Sequence, residues 1–193
     1  MDIYLIRHGE SVANRDKKEG NAYFCGQLDV PLTETGVAGA QALQAFFDTH
    51  PVEEIYCSDL VRTQQTATHI FGDDIAPVIT PTLRERSLGV FEGKPKSILQ
   101  EDPVYEKYFN DPQFNAFRHD FVQKAPEGES YQDVVDRVAD FFDTVLSKEH
   151  DAVAIVAHQV VIRCMLYFLG HISKEEALEK EIKNTHPYHI TLN

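Results

Sequence analysis

The sequence predicts an α/β protein: a three-layer sandwich in which helices flank a mainly parallel central sheet, with a small cap insertion. Short β-type segments alternate along the chain with longer segments of helical periodicity. One short segment, residues 152–157, contains only alanine, valine and isoleucine, which is typical of a strand buried on both faces. The length of 193 residues and the hydrophobic content of 42% suffice for one domain with a continuous core.

The first predicted strand covers residues 2–6, and a polar, glycine-containing stretch follows it. Thr33 is placed to cap a helix, because its hydroxyl can accept a hydrogen bond from a free backbone N–H group of the first turn. From Gly36 to Phe47 apolar residues recur at every third or fourth position, which is one face of an amphipathic helix. Pro51 marks the end of this helical segment.

The middle of the chain continues the alternation. Residues 55–57 predict a second strand and residues 78–80 a third. Between these strands, Asp59 is expected to cap a helix that runs to about Phe71. A helix between two strands is typical of a parallel pair.

Residues 94–126 interrupt this rhythm. Their periodicity is weak and they mix aromatic with basic side chains, which indicates a cap, or lid, beside the sheet. After the cap, Ser130 and Asp133 have the spacing of a capping box, and residues 134–145 predict an amphipathic helix. The apolar strand at 152–157 follows.

The end of the chain completes the pattern. A helix is predicted over residues 159–169, and the alternation of residues 188–192 predicts an edge strand. All these elements are expected to form a single domain, residues 1–193.

The charge of the chain restricts its partners. It has 18 Lys and Arg residues against 31 Asp and Glu residues, a formal net charge of −13. Nucleic-acid backbones and anionic membranes repel such a chain, so we expect neither as a partner. The first residues lack the basic and apolar regions of a signal peptide, and the longest uncharged segment near the end is too short to span a bilayer.

The cysteines agree with a cytoplasmic location. Cys25, Cys57 and Cys164 are odd in number, lie far apart and show no Cys-x-x-Cys spacing. This usage suits a reducing compartment and excludes a disulfide framework. We therefore expect a cytoplasmic protein, and the sequence makes no prediction of oligomeric state.

Side chains with phosphate-binding chemistry follow three of the predicted strands. Arg7 and His8 follow the first strand, and Arg62 lies one turn into the helix after the second. His158 follows the buried strand, and Arg163 lies on the helix beyond it. The carboxyl ends of parallel strands meet at one edge of a sheet, so we expect these side chains to converge. Guanidinium forks match phosphate oxygens, and the sequence therefore predicts a site for a phosphoryl group.

A histidine in such a site can be the nucleophile. A neutral imidazole attacks phosphorus and forms a phosphohistidine, which splits hydrolysis into two easier displacements. Arginines and a second, protonated histidine would stabilise the charge on the phosphoryl oxygens. A general acid must protonate the leaving alkoxide. Glu85, just beyond the third strand, is the carboxylate best placed for this role, and it would need partial burial to stay protonated.

Simpler roles are open for some of these residues. Arg62 could pair with an acid on its own helix, such as Asp59. Glu85 stands between Arg84 and Arg86 and is equally consistent with a surface ion pair. Two histidines at strand ends, with arginines nearby, make a purely structural role of the histidines themselves less favoured.

Other phosphate and metal chemistry is not indicated. His186 and His189 resemble a metal pair, but Pro187 lies between them and no matched partner exists, so we expect no metal site. No P-loop motif occurs. Cys57 and Arg62 are separated by four residues, one fewer than in the phosphate loop of cysteine phosphatases.

Five ordered motifs resemble one family. The run LIRHGES at residues 5–11, with Asn14 following, looks like the signature of the histidine phosphatase superfamily, also called phosphoglycerate mutase-like. The resemblance covers nearly the whole chain. The other motifs are FCGQLD with LTETG (residues 24–36), CSDLVRT with QTA (57–67), LRE with GVFEG (83–93) and PEGES (126–130).

The resemblance implies a role for each matching residue. His8 would be the phosphorylated nucleophile and Glu85 the proton donor. The phosphate pocket would comprise Arg7, Arg62 and His158, with Asn14 as a further donor and Gly26 as a substrate-binding position. Neither a cofactor nor a metal is implied.

One departure from the common pattern concerns substrate binding. Most members have glycine after the second histidine, but this chain has Gln159. The run from His158 to Arg163 resembles the His-Gln-x-x-x-Arg pattern of fructose-2,6-bisphosphatase domains, which implies that Gln159 and Arg163 hold a sugar phosphate. Those domains carry tyrosines and basic residues before the PEGES-like motif, whereas this chain has residues 123–125, Gln-Lys-Ala.

The leading hypothesis is a metal-independent phosphatase that hydrolyses small phosphomonoesters, such as sugar phosphates or glycolytic acids. The first alternative is a phosphoglycerate mutase, which shares the catalytic residues but passes the phosphoryl group to a second substrate. The short cap favours hydrolysis, because it leaves the site open to water. The second alternative, a non-catalytic phospholigand-binding protein, has no use for a nucleophile and an acid together.

Overall fold

The computed structural model describes residues 1–72, 75–146 and 149–192. The strands are β1 (Asp2–Arg7), β2 (Glu54–Ser58), β3 (Val78–Thr80), β4 (Ala152–Ala157) and β5 (Pro187–Thr191). The α-helices of this part of the chain are α1 (Val12–Lys18), α2 (Glu34–Gln41), α3 (Gln44–Thr49), α4 (Val61–Phe71), α5 (Lys96–Glu101), α6 (Lys107–Asn110), α7 (Tyr131–Leu146), α8 (Gln159–Phe168) and α9 (Lys174–Glu179). Two 3-10 helices cover Pro81–Leu83 and Gly89–Phe91.

The five strands form one sheet in the order β3-β2-β4-β1-β5. The central strand β4 pairs in parallel with β1 and with β2, so that Ile155 lies opposite both Leu5 and Tyr56. Strand β3 is parallel to β2, and β5 is the antiparallel edge strand beside β1. The predicted strands are confirmed, and the four parallel ones end at the same edge of the sheet.

Helices cover both faces of the sheet. On one face, Leu5 and Ile155 pack in a core cluster with α7 and α8. On the other face, Ile6 and Val156 pack in a second cluster with α2, α3 and α4. The predicted three-layer α/β sandwich is therefore confirmed. No helix in the described ranges is long and apolar enough to cross a membrane.

The helix predicted after Thr33 is divided into two. Thr33 does cap α2, since its Oγ1 accepts a hydrogen bond from the Gly36 N–H at 3.1 Å. The N–H of Leu43 bonds to the carbonyl of Ala40, three residues back, and this tighter turn separates α2 from α3. The turn allows Leu43 to pack in the same cluster as Phe47 of α3.

The expected Asp59 cap of α4 is wrong. The cap position is Leu60, which makes no side-chain bond. The carboxylate of Asp59 instead pairs with Arg84, with Nη2–Oδ2 and Nε–Oδ1 distances of 2.6 and 2.8 Å. A guanidinium fork satisfies both carboxylate oxygens, which a single N–H group cannot do. The N–H of Val61 at the start of α4 donates to Asp29 at 2.7 Å.

Three parts of the chain contain helices that the hydrophobic pattern did not indicate, and one of them is the segment before β5, which contains α9. Helix α1 lies in the polar stretch after β1 and begins at a capping box formed by Ser11 and Asn14. The expected cap, residues 94–126, contains the short helices α5 and α6. Its residues Leu99, Phe117 and Ala125 pack with Phe91 and Phe24 outside the two clusters that cover the sheet, whereas Phe121 belongs to the cluster with α7 and α8.

Candidate active site

The carboxyl ends of β1, β2 and β4 open into a cleft with a volume of about 210 Å³. Side chains from these strand ends, from the α1 region, from the segment after β3 and from the cap line the cleft. The sequence-predicted residues among them are Arg7, His8, Asn14, Gly26, Arg62, Glu85 and Gln159. The predicted convergence is therefore observed for Arg7, His8 and Arg62, and His158, which does not line the cleft, contacts Arg62 and lies next to His8.

His8 follows β1, where its backbone N–H continues the ladder by donating to the carbonyl of Ala157 at 3.0 Å. Its Nδ1 lies 2.7 Å from the carbonyl oxygen of Gly9. A carbonyl only accepts hydrogen bonds, so Nδ1 carries the proton and Nε2 of the neutral ring keeps its lone pair. Burial, together with the Arg62 and Arg7 guanidinium groups, holds the pKa of His8 well below its ordinary value of 6.5. The ring is therefore neutral, as a nucleophile must be.

A glycine is required next to His8. A Cβ atom at Gly9 would lie 2.5 Å from the carbonyl oxygen of Gly36. A Cβ atom at Gly36 would in turn lie 2.1 Å from the carbonyl oxygen of Glu10. The start of α2 can therefore pack directly against the loop that carries His8 only because both positions are glycine.

Arg62 lies in the first turn of α4 and is 2% exposed. Its Nη1 donates to the carbonyl of Leu28 at 2.7 Å and its Nη2 to the carbonyl of Gly26 at 3.0 Å. Its Nε donates to Nδ1 of His158 at 3.3 Å. The guanidinium is thus held rigidly at the wall of the cleft, and it does not pair with Asp59.

His158 precedes α8 and is fully buried. Its ring centroid lies 5.2 Å from that of His8. Because Arg62 donates to Nδ1, the proton of the neutral ring is on Nε2, which has no hydrogen-bond partner within the described residues. Burial, with the charge of Arg62, holds the pKa of His158 well below 6.5. An adjacent guanidinium in a buried site disfavours the imidazolium, so this geometry favours a neutral second histidine over the protonated one expected from the sequence.

Arg7 is anchored by the far end of the chain. Its Nη1 donates to the carbonyl of Ile182 at 2.7 Å, while its buried Nε has no partner among the described residues. The neighbouring segment also holds the backbone, because the Asn184 amide donates to the carbonyl of His8 at 2.6 Å. Arg7 lines the cleft and the His158 ring lies next to that of His8, so the unsatisfied Nε of Arg7 and Nε2 of His158 suit an anionic ligand bound at His8.

The Glu85 carboxylate lies beside the N-terminus of α8. Its carboxylate accepts a hydrogen bond from the Arg86 N–H at 2.8 Å and longer contacts from the Val160 N–H at 3.3 and 3.4 Å. Neither flanking arginine forms an ion pair with it, since Arg84 binds Asp59 and Arg86 binds the carbonyl of Phe117. The structure therefore favours the site role of Glu85 over the surface ion pair.

The expected substrate-binding positions have different surroundings. Oδ1 of Asn14 accepts hydrogen bonds from the backbone N–H and the hydroxyl of Ser11, both at 3.1 Å, which leaves its amide nitrogen available to a ligand. Gly26 has φ of +48°, and a Cβ atom there would lie 2.2 Å from Oε1 of Glu92. Its contribution to the site is the carbonyl that holds Arg62. Gln159 lines the cleft from the first turn of α8.

Arg163 does not line the cleft, and its expected convergence with the other arginines is wrong. Its guanidinium donates to the carbonyls of Leu178, Glu179 and Lys180 at the end of α9, and to the hydroxyl of Tyr131. Carbonyls at a helix C-terminus lack partners within the helix and carry partial negative charge, so they attract a buried guanidinium.

Further cations of the cleft were missed by the sequence analysis. Lys17 of α1, Arg86 and Arg118 of the cap all line it. The guanidinium of Arg118 lies 5.3 Å from the centroid of the Phe24 ring. The sequence signals for these cations are a basic residue next to Glu85 and basic residues between the aromatic residues of the cap. Only the folded chain brings these residues to one cleft.

The cysteine thiols are protonated, and His189 bonds to an acid. Burial raises the pKa of Cys25, which lines the cleft, and raises the pKa of Cys57 to about 12, so neither thiol is ionised near neutral pH. His189 bonds to Asp2 at 2.9 Å rather than to a second ligand. No group of three or more His, Cys, Asp or Glu side chains in the described ranges could hold a metal ion.

Comparison with known proteins identifies relatives across the whole chain. The family model described as Histidine phosphatase superfamily (branch 1) matches residues 3–193. A 6-phosphofructo-2-kinase/fructose-2,6-bisphosphatase of Caenorhabditis elegans is 35% identical over 170 residues, which are 86% of this chain but 33% of that protein. A protein of Yersinia pestis named "Probable phosphoglycerate mutase GpmB" is 31% identical over 86% of this chain and 73% of its own length.

Solved structures of similar proteins share the fold. The alpha-ribazole phosphatase of Shigella flexneri has a TM-score of 0.84 and 26% identity, over 100% of this chain and 91% of that chain. A mycobacterial glucosyl-3-phosphoglycerate phosphatase, solved with VO3, has a TM-score of 0.80 and covers 98% of this chain and 92% of its own. Its identity of 22% supports the fold alone.

Proposed function

We propose that this chain, which belongs to the histidine phosphatase superfamily, is a phosphatase that hydrolyses small phosphomonoesters through a phosphohistidine at His8. The observation that carries the proposal is the hydrogen bond between Nδ1 of His8 and the carbonyl of Gly9. It leaves the Nε2 lone pair of a neutral imidazole at a cleft where Arg7 and Arg62 can neutralise a phosphoryl group.

In the first step, Nε2 of His8 attacks phosphorus and the bond from phosphorus to the ester oxygen breaks. The protonated carboxyl of Glu85 gives its proton to the leaving alkoxide. Guanidinium groups of Arg7 and Arg62 and the Nε2–H of His158 donate to the phosphoryl oxygens, on which charge is concentrated.

In the second step, water attacks phosphorus and the bond from phosphorus to nitrogen breaks. The Glu85 carboxylate accepts a proton from the attacking water, which restores its acid form. Inorganic phosphate leaves, and His8 returns to the neutral state that its buried, cationic surroundings favour. The reaction is a net hydrolysis and requires no cofactor.

The outer part of the cleft supports a substrate with a second anionic group. Lys17 and Arg118 are exposed at the cleft, in addition to the buried arginines that line it. The formal charge of the chain is −13, so a local group of cations is a specific feature rather than a general property. Sugar bisphosphates and phosphorylated acids such as phosphoglycerates have this chemistry.

A phosphoglycerate mutase is the second candidate, supported by the similarity to GpmB. A mutase would use the same four groups, His8, Arg62, Glu85 and His158, in both half-reactions. The difference is the acceptor, which is a second phosphorylated acid instead of water.

One experiment separates these activities. Purified protein is incubated with an aryl phosphate, 3-phosphoglycerate, fructose bisphosphates and nucleotides, and both free phosphate and phosphoglycerate isomers are quantified. Release of phosphate with an acid-labile phosphoenzyme is the expected result. Isomerisation without free phosphate would identify a mutase, and tight phosphate binding without turnover would identify a binding protein.

Variants test the nucleophile directly. The His8→Ala variant should form no phosphoenzyme from radiolabelled substrate. His171→Gln, which changes an exposed histidine away from the cleft, is the matched control and should behave like the wild type. Normal turnover by His8→Ala would contradict the mechanism.

A further inference from the structure

We infer that the ion pair between Glu129 and Arg137 is a positioning device for Glu85, and that it acts on the proton-transfer step alone. It holds the backbone of residues 82–87, called here the acid segment, which carries Glu85 in its middle. The inference rests on the proposed function, because it concerns the residue proposed as general acid.

Arg137 of α7 binds the first half of the acid segment. Its Nη1 donates to the carbonyl of Thr82 and its Nη2 to the carbonyl of Arg84, the latter at 2.7 Å. Its Nε donates to Oε1 of Glu129 at 2.9 Å. One guanidinium group therefore connects the backbone on the N-terminal side of Glu85 to the Glu129 carboxylate.

Glu129 binds the second half of the acid segment. Its Oε2 accepts a hydrogen bond from the Ser87 N–H at 2.8 Å. Its own backbone N–H donates to the carbonyl of Ser87 at 2.9 Å. The backbone is thus held on both sides of Glu85, at residues 82, 84 and 87.

Two glycines allow the close approach that these bonds need. A Cβ atom at Gly128 would lie 2.8 Å from the carbonyl oxygen of Ser87. A Cβ atom at Gly89, where φ is +53°, would lie 2.0 Å from the carbonyl oxygen of Pro126. The turn before α7 therefore packs backbone against backbone on the acid segment, which leaves little freedom for its position.

The acid segment depends on these contacts because it lies outside the sheet. Most of it falls between the two 3-10 helices, so no strand or α-helix ladder fixes it. The Glu85 carboxylate itself has only long contacts to α8, at 3.3 and 3.4 Å from the Val160 N–H. Its distance to a leaving-group oxygen is therefore decided by the backbone, and proton transfer is sensitive to that distance.

The ion pair between Glu129 and Arg137 is partly shielded from water and lies away from the cleft. The Arg137 and Glu129 side chains are 19% and 23% exposed, so water screens them less than a surface pair. Neither residue lines the cleft. They can therefore affect catalysis through Glu85 without contacting substrate.

The test uses two variants. Glu129→Gln keeps the size of the side chain, and Arg137→Lys keeps the positive charge. For each variant, kcat/KM is measured with phosphate esters whose leaving groups range from dinitrophenol to simple alcohols. Dinitrophenolate leaves without protonation, whereas an alkoxide needs an acid. We expect kcat/KM to fall about tenfold or more for alkyl phosphates, and to change by less than about threefold for the dinitrophenyl ester.

Two comparisons identify the cause. In a Glu85→Gln background, Glu129→Gln should produce no additional loss with alkyl phosphates, because the group that it positions is absent. Lys124→Gln is the matched control, since it removes an exposed ion pair with Asp133 of the same helix α7 and should leave the leaving-group profile unchanged.

The possible outcomes are distinct. An equal loss of kcat/KM for all leaving groups, or no loss for any, would overturn the inference and indicate a structural role only. Failure of the wild type to release phosphate from any ester would instead overturn the proposed function, and this inference with it. Thermal unfolding of each variant shows whether a uniform loss follows from reduced stability.

Discussion

Nε of Arg62 donates a hydrogen bond to Nδ1 of His158 at 3.3 Å, although the two residues are 96 positions apart in the sequence. Arginine has no acceptor, so this contact requires a lone pair on Nδ1 and a proton on Nε2. The second histidine therefore enters the reaction as a neutral donor beside a permanent cation. The same guanidinium group also binds the carbonyls of Gly26 and Leu28.

The first prediction concerns Arg62→Lys. Lysine keeps the positive charge but cannot bind two carbonyls and an imidazole in one plane. The proton of His158 should then no longer be held on Nε2. We expect kcat/KM to fall by roughly 10²–10³-fold, which is typical for the loss of one preorganised donor. Arg15→Lys, which changes an exposed arginine paired with Asp16, is the matched control. Near-normal kcat/KM for Arg62→Lys would mean that charge alone is required.

The second prediction is a dependence of stability on pH. The pKa values of His8 and His158 lie well below 6.5 in the folded protein, mainly because of burial, and near 6.5 when unfolded. As pH falls below about 6.5 the unfolded state binds protons that the folded state does not, so the free energy of unfolding decreases. Above about pH 6.5 this contribution is complete.

Urea unfolding between about pH 7.5 and pH 5 measures this effect. The variant with both His8→Gln and His158→Gln should show a shallower dependence on pH in this range. An identical slope for both proteins would show that other groups are responsible. Phosphate should also raise the stability of the wild type, because it binds the folded state alone.

The third prediction concerns the outer cations of the cleft. Arg118→Met should raise KM roughly 10–100-fold for a fructose bisphosphate or 3-phosphoglycerate, because a charged hydrogen bond to the second anionic group is lost. For an aryl phosphate, which has no second anionic group, KM should change by less than about twofold. Lys107→Met is the control in the same cap, since Lys107 lies over Tyr108 and Phe114 and not at the cleft. Equal changes for all substrates would contradict a role in binding a second anion.

The fourth prediction concerns whether Arg163 stabilises the fold or binds substrate. Arg163→Met leaves the carbonyls of Leu178, Glu179 and Lys180 without their buried donor, so the free energy of unfolding should fall by about 2–4 kcal/mol. KM should stay within about twofold of the wild type for every substrate. Chemical unfolding and steady-state kinetics measure the two effects. A selective rise in KM for a sugar bisphosphate at unchanged stability would instead support substrate binding.

Much of the fold could be predicted from the hydrophobic pattern, because the core strands are short apolar runs buried on both faces and the long helices α7 and α8 are amphipathic. The helix after Thr33 was harder to predict. Its apolar pattern continues through Leu43, and only the packing of Leu43 and Phe47 on the sheet divides it. Helix α1 begins at a polar capping box and buries no residue fully, so no apolar pattern marks it.

The sequence by itself determined the reacting groups. Parallel strands place their carboxyl ends at one edge, so His8 and His158, which directly follow two of the strands, had to converge once the strands were recognised. That argument uses only the order of residues along the chain. It extends to Arg163 only by assuming that a nearby helix position points the same way, and the side chain in fact turns to the end of α9.

Only the tertiary structure decided the protonation states and the hydrogen-bond partners of these groups. The proton position on His8 depends on the carbonyl of Gly9, and that on His158 depends on Arg62. The backbone that carries Glu85 is bound by Arg137, more than fifty residues away in the sequence. Hydrogen bonds and pKa values respond to every atom within a few ångströms, wherever it lies in the chain, so they follow from the folded arrangement and not from local sequence.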